Sequence, residues 1–104
     1  MAYDEALAAK IRGRVDGATE RKMFGGLAFL VGGNMAVAAS GQGGLLVRVD
    51  PAESAELVAT TSAELMEMGG RTMSGWLRVD VADDDELAAW IDRGLAFART
   101  LPPK

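Results

Sequence analysis

Between Glu20 and Val49 the chain is built from short runs, "ERKMF", "LAFLV", "MAVAAS" and "LLVRV", broken by "GG", "GGN" and "GQGG". Extended runs of this length with two to four turn residues between them read as hairpins of an antiparallel meander. Tight turns need positive φ, which glycine and asparagine tolerate, so Gly32-Gly33-Asn34 is hairpin chemistry joining strands at 27–31 and 35–40. Gly25-Gly26 is either a bulge or a sharp corner. A phosphate-cradling reading fails on detail. No glycine here is followed by lysine, and Gly41-Gln42-Gly43 leads into strand residues where a dinucleotide loop would open a helix.

Helical spacing flanks this block. Tyr3, Leu7, Ile11 and Val15 recur at four-residue steps and predict a helix over about 4–15, with Asp4 as N-cap and Gly13 and Asp16-Gly17 at its end. Asp50 and Pro51 open a short helix over about 51–59. "SAELMEM" either extends that helix or forms a strand with Leu65 on one face and Met66 on the other, and the strand is preferred. "WLRVDV" reads as a further strand with Leu77, Val79 and Val81 facing in. Leu87, Trp90, Ile91, Leu95, Ala98 and Leu101 then mark a long C-terminal helix, opened by Asp83 with Glu86 and stopped by Pro102-Pro103. The expected fold is α+β: one domain over residues 1–104, with an antiparallel sheet of five to six strands, an N-terminal helix, a short middle helix and a long C-terminal helix.

Composition narrows the chemistry. The 104 residues include no histidine and no cysteine. That removes the side chain suited to proton transfer near neutral pH, the strongest nucleophile, and every zinc site of the usual type. No catalytic residue, metal ligand or cofactor site is expected, and the chain is not expected to be an enzyme. The acidic run Asp83–Glu86 lacks calcium-loop spacing and reads as a helix N-terminus.

Net charge is −4, and it is uneven: the acidic residues concentrate after position 49. An acidic chain is a poor general binder of nucleic acid, so direct binding is not expected, and Lys10, Arg12, Arg14, Arg21 and Lys22 read first as a solvated face. No apolar run approaches the ~20 residues of a membrane span, and the acidic N-terminus is unlike a signal peptide. The expected location is the cytoplasm.

Two features point outward. Leu27, Phe29 and Val31 alternate with Ala28 and Leu30, so this strand is apolar on both faces and needs cover on both. Either a helix lies close on the alanine side or a second subunit covers it, and a homodimer is expected on the second alternative. The stretches "RKMFGG" and "GGRTMSGW" follow no period and gather basic, aromatic and glycine residues. Aromatics and arginines beside exposed backbone are common anchors of protein recognition. Arg21, Lys22, Phe24, Arg71 and Trp76 are therefore expected to lie near one another on a partner-binding surface. Arg48, Arg71 and Arg78 are the candidates for holding an anionic ligand.

Taken together, "RKMFGGLAFLVGGNMA", "LLVRV", "RTMSGWLRVD" and "LAAWIDRGLAFARTLPPK" resemble the N-terminal domain of the TfoX/Sxy family of bacterial competence regulators, over about residues 3–104. Met23-Phe24-Gly25-Gly26 and Gly75-Trp76 carry most of that specificity. The resemblance implies an α+β domain with an antiparallel sheet and a cytoplasmic transcriptional coactivator, without catalytic residues. In those regulators a second domain follows this one, and here a stand-alone copy is expected. The functional expectation is a non-enzymatic module that binds a protein partner. The alternative is a small anionic-ligand or nucleotide-binding protein with a pocket between sheet and helices.

Overall fold

The computed structural model describes residues 5–15, 17–23, 26–41, 44–61, 63–68, 70–81 and 83–103, with the backbone alone at 23, 68 and 71–74. The chain runs α1 (Glu5–Arg12), β1 (Thr19–Met23), β2 (Gly26–Val31), β3 (Asn34–Ala39), β4 (Leu45–Arg48), α2 (Pro51–Thr60), β5 (Glu64–Met68), β6 (Arg71–Val79) and α3 (Asp84–Thr100). All six strands form one sheet in the order β1-β2-β3-β4-β6-β5, and every pairing is antiparallel. The architecture is the α+β arrangement expected from the spacing. The first four strands make the meander. The chain then leaves through α2 and returns as the β5–β6 hairpin, with β6 beside β4 and β5 at the edge.

Local chemistry accounts for the boundaries. Gly32 and Gly33 turn the β2–β3 hairpin at φ of 60° and 84°, and Val31 faces Asn34 across it. Asn34 is strand rather than turn. It is buried, and its amide nitrogen donates to the Pro102 carbonyl at 2.9 Å, which ties the end of the chain to the hairpin. Asp50 accepts from the Ala52 N–H at 2.9 Å and caps α2, with Pro51 in the first turn. Asp83 accepts from the Glu86 N–H at 2.7 Å and caps α3.

Three expectations need correction or resolution. Helix α1 ends at Arg12, short of position 15, because Gly13 and Arg14 form a turn while Val15 still reaches the core. Asp4, its expected cap, and Gly25 lie outside the described residues. Gly26 opens β2, and a Cβ there would stand 2.1 Å from the Ala39 carbonyl oxygen, so close packing on β3 requires glycine. Strand β6 starts at Arg71, five residues before the expected start at Trp76. Its register against β5 jumps between Leu65 and Met66. Gly75, at φ 87°, sits in that irregularity and accepts a bond from the Val49 N–H at 2.8 Å. The Gly-Trp pair is thus a bulge within a strand.

The sheet separates two apolar clusters. On the helix side, Phe29, Val37, Leu45, Val47, Leu77 and Val79 meet Ile11 of α1 and Leu87, Trp90, Ile91, Leu95 and Ala98 of α3. Leu57 and Val58 of α2 pack against the same cluster. The other face holds Ala28, Leu30, Met35, Ala38, Leu46 and Met66, with Trp76 packed against them. The buried apolar residues of the helices all join the first cluster, yet the second is also buried, with Leu30 only 9% and Leu46 5% exposed. One chain therefore buries both faces of β2, so the two-faced pattern by itself calls for no second subunit.

Helix α3 lies tight on β3. A Cβ at Gly94 would stand 2.6 Å from the Ala36 carbonyl oxygen and 2.8 Å from Val37 Cγ1. Ala36 is the extra residue where the β2–β3 register shifts, because Phe29 faces Val37 while Leu30 faces Met35. Replacing Gly94 with Ala should cost about 1–3 kcal/mol of stability through overpacking. The roughly 1 kcal/mol Ala gains over Gly inside a helix offsets part of this, leaving a net loss of up to about 2 kcal/mol. Urea unfolding checks the sign, and a more stable Gly94→Ala protein would contradict the contact.

Candidate functional site

The sheet order decides what the expected surface becomes. Arg21 and Lys22 lie exposed on β1, whereas Trp76 and the backbone of Arg71 belong to β6. Three strands intervene, so the two strand axes are roughly 19 Å apart at ~4.8 Å per strand. The single surface expected from the sequence is therefore divided in two. Phe24 lies outside the described residues. Neither stretch is a loop where it is described: Arg21–Met23 and Arg71–Trp76 are strand.

Register builds a different cluster around Trp76. Arg48 of β4 faces Trp76 of β6, and directly paired residues of antiparallel strands share a face. The Arg48 guanidinium carbon lies 5.2 Å from the Trp76 ring centroid and 5.9 Å from that of Phe97 on α3. All three side chains are half-buried. The guanidinium is thus within cation–π reach of two aromatic rings. Arg48 makes no ion pair with a described carboxylate. Arg78, two positions along β6, shares this face and pairs across the strands with Leu46 and Glu64.

Phe97 also bounds an open groove of about 760 Å³ between the start of α2 and the outer side of α3. Val49, Asp50, Glu53, Asp92 and Arg93 line it as well. Arg93 lies 3.9 Å from Glu53 and 5.8 Å from the Trp90 ring centroid, so the rim is crossed by charge of both signs. Phe97 was missed from sequence because it falls just off the apolar stripe of its helix. Arg48 was recognised only as an anion candidate, since nothing local announces that β4 will pair with β6.

The N-terminal cations are largely consumed within the fold. Lys10 pairs with Asp84 at 2.9 Å, and Arg14 pairs with Asp92 at 2.8 Å. Arg12 holds Glu20 through two bonds of 2.6 and 2.7 Å. Arg21 and Lys22 are left without an ion pair among the described residues. The hydrogen bond from Arg14, aided by its charge and that of Arg99, holds the Asp92 carboxyl below the usual carboxylate range. The bond from Arg12 does the same for Glu20. A lowered carboxylate pKa is the opposite of what acid–base catalysis near neutral pH requires. Among the described residues no group of three carboxylates is placed to hold a metal ion, and no helix is long and apolar enough to cross a membrane.

This fold, with its bulged β6 and Gly-Trp pair, is that of a small α+β domain built on one six-stranded antiparallel sheet. The chain belongs to the TfoX N-terminal domain family, which it matches over residues 11–98. No curated protein and no solved structure matches it.

The ion pairs set a pH dependence. A carboxylate whose folded pKa is depressed adds stability above its unfolded value, near 4, and loses it as pH falls through the folded value. Asp92 and Glu20 should therefore titrate below the ordinary range by NMR and move up toward it in Arg14→Ala and Arg12→Ala respectively. Ordinary midpoints in the unaltered protein would contradict the pairs.

Proposed function

We propose that the chain is a non-enzymatic, cytoplasmic regulatory module that acts by binding a protein partner. Its family points to a competence-type regulatory domain. The observation that carries the interaction reading is Arg48 within cation–π distance of both Trp76 and Phe97, beside the α2–α3 groove that Phe97 lines. Tryptophan and arginine dominate the energetics of protein interfaces when they sit in packed, partly desolvated positions. The stack fixes the Arg48 side chain before binding, so less entropy is lost on contact. The groove is open and rimmed by paired charges, which suits a macromolecular surface better than a small molecule needing most of its area enclosed.

A second reading, a small anionic ligand, is favoured by one observation: Arg48 has no carboxylate partner among the described residues. It requires saturable binding of a compound such as inorganic phosphate or a dicarboxylate, measured by calorimetry and lost in Arg48→Ala.

The interaction reading is tested by affinity capture from native lysate, using the unaltered protein and Arg48→Ala side by side. Loss of two half-buried ring contacts should lower stability by about 1–2 kcal/mol, a Tm shift of roughly 4–16 °C in a domain of this size. Below that temperature Arg48→Ala should retain its fold yet lose at least tenfold of the captured partner. Undiminished capture would contradict the proposed surface.

A further inference from the structure

Strand β1 is one of the two free edges of the sheet. It pairs with β2 through all five of its residues, and among the described residues no strand lies on its outer side. An open edge offers backbone N–H and C=O groups to any extended chain, and proteins commonly guard such edges with charge. The two edges here carry opposite charge. Strand β5 places Glu64 and Glu67, both exposed, at its edge. Strand β1 carries Glu20, Arg21 and Lys22, but Glu20 is already neutralised by the paired bonds from Arg12. What this edge presents outward is two exposed cations.

Their placement narrows the occupant further. Arg21 pairs with Ala28 and shares the face of the second apolar cluster. Lys22 pairs with Leu27 and shares the helix face. A strand added beyond β1 would set consecutive residues opposite these two, one on each face. Consecutive carboxylates would therefore meet both cations, whereas alternating acidic residues would meet only one. We propose that β1 is a strand-addition site for an extended segment of a partner protein that carries two adjacent acidic residues. This rests on the interaction reading but uses a surface separate from the Arg48 cluster. Main-chain bonds supply affinity in this mode, and the side chains opposite supply selectivity.

The chain as a whole is acidic, with a net charge of −4, so long-range attraction does not favour such a segment. Backbone pairing has to contribute, and that separates strand addition from simple charge attraction. The test uses a fluorescent ten-residue peptide of threonine and valine with a central Glu-Glu. Three controls accompany it: a Lys-Lys peptide, the Glu-Glu peptide N-methylated at alternate residues, and a ten-nucleotide single strand. Fluorescence anisotropy should show the Glu-Glu peptide bound at least tenfold more tightly than each control. Hydrogen exchange followed by NMR should slow at least tenfold at β1 amides and not at β5. Arg21→Glu/Lys22→Glu should reverse the preference toward the Lys-Lys peptide.

Equal binding of the N-methylated peptide would overturn the proposal, as would preference for the nucleotide strand or absence of binding. Protection at β5 would overturn it as well. Self-association abolished by Arg21→Glu/Lys22→Glu would assign the edge to a second copy and likewise overturn it. Loss of peptide binding alongside intact, Arg48-dependent partner capture would sink this inference and leave the interaction reading standing.

Discussion

The contact that organises this molecule is the approach of α3 to β3 at Gly94. The helix can lie with position 94 against the Ala36 carbonyl and Val37 only because no side chain intervenes there. From that seat the rest of α3 follows. Leu87, Trp90, Ile91, Leu95 and Ala98 reach the helix-side cluster. Asp84 and Asp92 come within ion-pairing distance of Lys10 and Arg14 on the N-terminal segment. Phe97 is brought to the guanidinium of Arg48. Helical spacing makes these positions mutually dependent, so lifting the helix at one glycine would disturb packing, ion pairs and the aromatic cluster together.

The sheet solves a problem posed by its own sequence. Strands apolar on both faces usually need a layer on each side. Here the buried apolar residues of the helices serve one face, while the other face gathers into a second cluster of Ala28, Leu30, Met35, Ala38, Leu46 and Met66. Trp76 packs against that cluster, and the bulge at Gly75 belongs to the same strand. The Gly-Trp pair thus has a structural use, closing the apolar face, and a chemical one, stacking on Arg48.

Features governed by neighbouring residues were legible in the sequence. The Gly32-Gly33 turn, the Asp50-Pro51 and Asp83 helix starts, the long C-terminal stripe and the opposite facing of Leu65 and Met66 all follow from chemistry within a few positions. The candidate site was legible only in its composition. Trp76 and Arg48 were each singled out, but their meeting depends on β6 lying beside β4, a pairing separated in the chain by α2 and β5. The same order carries Arg21 and Lys22 to the far edge, which adjacency in composition could not reveal. Phe97 was hidden for another reason: a residue at the margin of a helical stripe looks peripheral until its helix is seated.

Folding and recognition are therefore linked in this account through one helix. Its central claim is that α3, seated at Gly94, brings Phe97 within cation–π reach of an Arg48 that also lies against Trp76. Aromatic rings shift nearby protons upfield, so the side-chain methylene signals of Arg48 report the stack directly by NMR. The account predicts that these signals lie well upfield in the unaltered protein and move part of the way back in Phe97→Ala. They should move similarly in Gly94→Ala, where the ring is displaced without being removed. Arg48 signals at ordinary arginine positions, or signals indifferent to Gly94→Ala, would contradict it.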